Sequence, residues 1–188
     1  MPEYLIIPFL VLLGFAGLGS FLYFRRRQRK ARIAEMLSGD DLLAAWTYDP
    51  DEWRQAVAEE FTWVRSKDGT GHCYISPTAI CVKNDSQDRL IDLSSDGKVV
   101  THASYRGADG SSPLKMRVRW RVIKEYQNGS REVKYYKEDY RIPVPIRNRD
   151  DAARVADFFT TKLESNLDAY TAVVPDDEPI SLFGKDSF

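Results

Sequence analysis

The chain has 188 residues, with 27 Lys and Arg against 28 Asp and Glu. That length suits one domain with a real core, and two cysteines leave little scope for a disulfide framework. The near-zero total hides a split: six of the basic residues lie in Arg25–Arg32, while residues 33–188 carry 21 basic against 27 acidic residues, a balance of −6.

Tyr4 to Phe24, YLIIPFLVLLGFAGLGSFLYF, contains no charge. At about 1.5 Å per residue such a run reaches roughly 30 Å, the thickness of a bilayer's hydrocarbon core. Residues 1–24 are therefore expected to form a transmembrane anchor, as a helix, because lipid offers no partner for backbone polar groups. Arg25, Arg26, Arg27, Arg29, Lys30 and Arg32 flank it on one side only, which predicts a single-pass protein of the cell membrane, N-terminus outside and domain in the cytoplasm. A cleaved signal peptide would carry its basic residues before the apolar stretch, and only Met1, Pro2 and Glu3 precede this one. In a reducing cytoplasm Cys73 and Cys81 are free thiols. The sequons at Asn84 and Asn128 then read as turns.

Residues 25–66 read as a basic juxtamembrane segment and helical linker. Strong helix formers run to about Leu37, and Ser38-Gly39-Asp40 stops them. Trp46-Thr47-Tyr48 has the β-branched and aromatic character of a short extended piece. Asp49-Pro50-Asp51-Glu52 is a capping box with proline at the first helical position. Trp53, Val57 and Phe61 then recur as one apolar stripe, predicting a helix over 50–61.

Residues 67–167 read as a β domain with a C-terminal helix. Short strands are expected at His72–Ile75, Ala79–Val82, Leu90–Leu93 and Lys98–His102. The longest pair is Leu114–Tyr126 with Arg131–Ile142. A two-residue Asn128-Gly129 turn would set Trp120 against Lys137. A three-residue Gln127-Asn128-Gly129 loop, with Gly129 left-handed, sets Trp120 against Tyr136 and Met116 against Tyr140, so that apolar rows match. A one-residue slip flips every side chain, so the three-residue loop is predicted. Ile142-Pro143-Val144-Pro145 ends the strand. Asn148 is then expected to cap a final helix whose stripe is Val155, Phe159 and Leu163, followed by an acidic, disordered tail over 168–188.

Three stretches carry a family resemblance: Trp46-Thr47-Tyr48-Asp49-Pro50-Asp51-Glu52-Trp53, Tyr74-Ile75-Ser76-Pro77, and Arg141-Ile142-Pro143-Val144-Pro145 before the last helix. With them the chain resembles uncharacterised bacterial single-pass membrane proteins with a pleckstrin-homology-like cytoplasmic domain. The resemblance implies an α+β architecture, an antiparallel β-barrel or sandwich closed by a C-terminal helix, together with a membrane location. It implies no activity, and no functional residue is carried over.

Several groups are candidate sites. Lys115, Arg117, Arg119 and Arg121 alternate onto one strand face, joined across the hairpin by Lys137 and Arg141, and Arg forks match phosphate, so this face is a candidate for anionic lipid headgroups. A solvated outer sheet face is the plainer reading, and Asp139 sits within it. The juxtamembrane cluster attracts anionic lipid at about 1 kcal/mol per basic residue. His72, Cys73, Cys81 and His102 are the one group suited to nucleophilic or metal chemistry, but CxxC, HExxH and GxSxG spacings are absent. Trp46, Trp53, Trp63 and Trp120 read as core rather than a stacking platform, and Gly107-Ala108-Asp109-Gly110 lacks the spacing and lysine of a phosphate loop. Pro179–Phe183 is an apolar island in the tail and a candidate docking peptide. The expectation is thus a non-catalytic interaction module tethered to the bilayer, with a protein partner and without cofactor, metal or nucleic acid; headgroup binding is the alternative.

Overall fold

The structure is a computed structural model that describes residues 23–24, 27–38, 41–64, 66–107 and 112–175. All but the last two residues of the Tyr4–Phe24 run, together with Arg25 and Arg26, lie outside the described residues, and so does the anchor expected there. Among the described residues no helix is long and apolar enough to cross a membrane. The chain divides into two compact units, Met1–Asp40 and Asp41–Phe188. In the first, residues 27–38 form helix α1, as the run of strong helix formers predicts.

The second unit is a mixed α+β domain with two antiparallel sheets. Its elements are β1 (Ala44–Tyr48), α2 (Pro50–Glu59), β2 (Gly71–Ile75), β3 (Ala79–Asn84), β4 (Asp88–Asp92), β5 (Val99–Ser104), β6 (Leu114–Glu125), β7 (Arg131–Ile142), α3 (Arg149–Glu164) and α4 (Leu167–Thr171). One sheet has the order β1-β2-β3-β4 and the other β5-β6-β7. Trp46, Ile75, Ile80 and Val82 from the first sheet share one core with Leu114, Met116, Val118 and Ile142 from the second, and Val155 and Phe159 of α3 join it. Alternation explains which residues do so: the period of two sends Trp46 and Tyr48, or Met116 and Val118, inward together.

The domain begins earlier than the sequence suggested. The stretch read as linker, 41–66, contributes β1, which pairs with β2 from Ala44 opposite Ile75 to Tyr48 opposite Gly71. A five-residue strand followed by an inserted helix gives no local signal of a partner more than twenty residues away. The inserted helix itself follows the capping box: Asp49 Oδ1 accepts from the N–H groups of Asp51 and Glu52 at 3.0 and 2.9 Å, and the Glu52 carboxylate accepts from Asp49 N–H at 3.0 Å.

The long hairpin has the predicted register. Trp120 stands opposite Tyr136 and Met116 opposite Tyr140. Tyr126 N–H donates to Ser130 C=O at 3.0 Å and Gly129 N–H to Tyr126 C=O at 2.9 Å, enclosing a three-residue loop in which Gly129 has φ +80°. That conformation suits glycine because no Cβ meets the following carbonyl. Both sequons are turns: Asn84 Oδ1 accepts from Ser86 and Gln87 N–H, and Asn128 Oδ1 from Ser130 N–H.

Two details of the C-terminal region differ from expectation. Asn148 occupies the N-cap of α3, but its side chain accepts no backbone bond and instead donates from Nδ2 to Asp151 Oδ2 at 3.0 Å. The tail does not begin at 168. α4 folds back so that Tyr170, Val173 and Val174 bury with Leu163 and against Val99, an apolar group that outweighs the acidic composition around it. Residues 176–188, including Pro179–Phe183, lie outside the described residues.

Candidate functional site

Two of the three stretches behind the family resemblance meet in one place, and their work there is structural. Trp46 Nε1 donates to Tyr48 Oη at 2.7 Å, and Tyr48 Oη donates to the Pro143 carbonyl at 2.6 Å. Arg147 clamps Glu52 with both amino groups, at 2.7 and 2.8 Å, and also donates to the Thr47 carbonyl. Strand β1, the start of α2 and the Pro143–Pro145 segment are thereby tied together. Tyr48, Trp53 and Phe61 pack ring against ring at centroid distances of 5.7, 6.2 and 5.9 Å. Trp53 is fully buried, and it lies so close over Gly71 that a Cβ there would stand 1.9 Å from the indole ring. A glycine opening a strand is the one sequence sign of such an approach. The third stretch serves a turn: Ser76 Oγ accepts from Ala79 N–H at 3.1 Å.

The cysteine and histidine group is dispersed. Cys73 stands opposite Val82 and belongs to the core, whereas Cys81 stands opposite Tyr74 on the other face of the sheet. His72, next to Cys73 in the chain, points away from it; its Nδ1 lies 3.1 Å from Thr47 Oγ1 and its ring stacks on Tyr74. His102 is in the second sheet, with Nε2 3.0 Å from Ser104 Oγ. Burial pushes the Cys73 thiol well above its ordinary range, with the charge of Cys81 adding to that, so it is a poor thiolate at neutral pH. Among the described residues no cluster of three His, Cys, Asp or Glu side chains is placed to hold a metal.

The basic hairpin face is largely committed inside the fold. Arg117 keeps only 9% of its side-chain surface exposed and makes a bidentate pair with Asp139, Nε–Oδ1 at 2.7 Å and Nη2–Oδ2 at 3.1 Å. Arg119 is buried as well, and Lys115 is half-buried. Arg141 is exposed but paired with Glu60 at 3.1 Å, a carboxyl whose range is raised by burial and lowered in turn by Arg141. Arg121 and Lys137 are exposed. Strict alternation placed these residues on one face correctly but said nothing of what covers it. Arg27, Arg29, Lys30 and Arg32 of the Arg25–Arg32 cluster are exposed on α1.

The surface that sequence reasoning missed is the outer half of the β6–β7 hairpin. Past Arg119 the burial of β6 falls away, and β7 is exposed through most of its length. Ile123, Tyr126, Val133, Tyr135 and Tyr136 are all large apolar or aromatic side chains in the open. Trp120, expected in the core, is only half-buried; it stacks on Tyr136 at 5.5 Å with an interplanar angle of 12°, and Lys98 Nζ lies 4.9 Å above it. Among the described residues strand β7 is also a sheet edge, paired with β6 alone. An exposed apolar strand edge is a ready interaction surface. The available signal was length: two twelve-residue strands outreach the five- and six-residue strands that supply the rest of the core.

No family model, no curated protein and no solved structure matches this chain.

Proposed function

We propose that this chain is a single-pass protein of the cell membrane, N-terminus outside, which displays a non-catalytic pleckstrin-homology-like interaction module at the cytoplasmic face. The observation that carries the reading is the uncharged Tyr4–Phe24 run followed at once by the Arg25–Arg32 cluster. The finer fold reading is supported by the element order, in which a four-stranded meander and a three-stranded meander precede a helix packed on the core. The module acts by tethering: membrane attachment confines it, raises its effective concentration near other membrane components, and lets a modest affinity suffice. The exposed aromatics of the β6–β7 hairpin are its contact surface for a protein partner. Tyr and Trp suit that role because they supply large contact areas at low conformational cost.

The test uses the full-length chain with a reporter fused after Phe188. Retention in the membrane fraction after an alkaline wash, with the reporter active only in the cytoplasm, is the expected result. A chain released by the wash, or a reporter active only outside, overturns the reading. Anionic headgroup binding is a second reading, resting on exposed Arg121 and Lys137, which share one face of the hairpin. Equal sedimentation with neutral and anionic vesicles, before and after Arg121→Gln and Lys137→Gln, removes it.

A further inference from the structure

We infer that β7 is a self-pairing edge, and that two copies of this chain join antiparallel through it with Tyr136 on the two-fold axis. The inference stands on the strand itself and is independent of the membrane reading.

The backbone fixes which registers are open. Tyr126 N–H bonds to Ser130 C=O, so alternation turns the backbone groups of even-numbered residues in β7 toward β6. Those of the odd-numbered residues, Arg131 to Arg141, point outward, along an edge that is unpaired among the described residues. Antiparallel pairing of two such edges joins odd residues to odd residues, so the two-fold axis falls on a residue and never between two.

Charge and overlap then select among these registers. With the axis on Lys134, Lys137, Glu138 or Asp139, a charge meets its own copy, and with the axis on Val133 or Tyr140 the two strands overlap only over Arg131–Tyr135 or Glu138–Ile142. With the axis on Tyr135, Glu132 meets Glu138 of the other copy, and the Arg131–Asp139 pairing it also offers would draw on side chains already held by Glu125 and Arg117. With the axis on Tyr136, each Lys134 meets a Glu138, each Tyr135 meets a Lys137, and each Glu132 meets a Tyr140. Opposite charges directly across an antiparallel pair are favourable and like charges are not. The only like pair in this register, Arg131 with Arg141, lies at the strand ends, where Arg131 is already held by Glu125 and Arg141 by Glu60. Lys134 at present pairs with Glu132 on its own strand at 3.1 Å, an exposed contact that exchange with Glu138 of a second copy replaces.

The side chains fit the same arrangement. Tyr135 and Tyr136 are 40% and 41% exposed on opposite faces of β7, so pairing would cover aromatic surface on both sides. A second copy is favoured over a foreign strand because, in this register, the central charges of β7, Lys134 and Glu138, complement one another.

The experiment takes the full-length chain in mild detergent at micromolar concentration. Wild type is expected at twice the chain mass. On the axis, positions 136 form a non-hydrogen-bonded pair with Cα atoms about 4.5 Å apart, within the reach of a disulfide. Tyr136→Cys should therefore give at least tenfold more disulfide-linked dimer than Tyr135→Cys, whose exposure is the same. Lys134→Glu should shift the population to monomer, and Lys134→Glu with Glu138→Lys should restore the dimer, which separates pairing from misfolding. Equal crosslinking at 135 and 136, or a monomeric wild type, overturns the proposal. So does a monomer whose odd-numbered β7 amides exchange slowly until residues 176–188 are removed, since the chain's own tail would then hold the edge.

Discussion

The domain holds two aromatic groups of similar size that meet opposite fates. At the junction of β1 and α2, Trp46, Tyr48, Trp53 and Phe61 are buried. On the outer hairpin, Trp120, Tyr126, Tyr135 and Tyr136 stand at or near the surface. Composition does not distinguish them; cover does. The junction has a helix laid across it and a glycine beneath it, so every ring finds a partner. The hairpin simply runs on past the core that its inner half helps to build. One group holds the domain together, and the other is left available for contact.

That contrast can be broken most severely at the junction. Trp53→Ala should cost about 3–5 kcal/mol, the range for emptying a fully buried large aromatic site, read as a shifted denaturation midpoint with unchanged slope. A loss below about 1 kcal/mol would show the junction to be less filled than its contacts imply. At the base of the hairpin, Asp139→Ala should cost about 2 kcal/mol by leaving the Arg117 guanidinium without its bidentate partner. The figure is held below that of a fully buried pair because the Asp139 side chain is 35% exposed.

The junction is also the alkaline weak point. Burial raises the Tyr48 hydroxyl and the Cys73 thiol well above their ordinary values of 10.0 and 9.0. Each neutral group contributes its full stability below the unfolded value and loses it as pH climbs toward the folded one, because the unfolded chain releases the proton first. Stability should therefore fall from about pH 9 upward, and Cys73 should resist alkylation until the chain unfolds. A thiol at Cys73 that alkylates at the rate of a free cysteine in the native chain contradicts this placement.

Smaller effects belong to the hairpin. Gly129→Ala should cost about 1 kcal/mol from its positive φ alone, since a Cβ there would meet nothing within 4 Å. Tyr135→Ser should change monomer stability by less than about 0.5 kcal/mol, as an exposed substitution does, while weakening whatever the hairpin binds. A large stability loss at Tyr135 would mean that the outer hairpin is part of the core after all.

The sequence reading succeeded where a local rule had one solution. The capping box at Asp49 fixed where α2 starts, and the alternation of Met116, Val118 and Trp120 admitted only the loop that ends at Gly129. It failed where the outcome depended on a distant element. The pairing of β1 with β2 spans an inserted helix, and the burial of Tyr170 depends on a surface formed by Leu163 and Val99. The candidate site was legible only as a face. Lys115 to Arg121 alternate without interruption, yet Arg117 and Arg119 are buried while Arg121 is exposed, because cover ends partway along the strand. No periodicity records where a neighbouring element stops.

The central claim is that the outer hairpin is the contact surface and the β1–α2 junction is scaffold. Photo-crosslinking from position 135, compared with position 59 on the exposed side of α2, tests it in the full-length chain under native conditions. One reproducible adduct is expected from 135, at twice the chain mass, and none from 59. Equal yields from the two positions, or no adduct from 135, would contradict it.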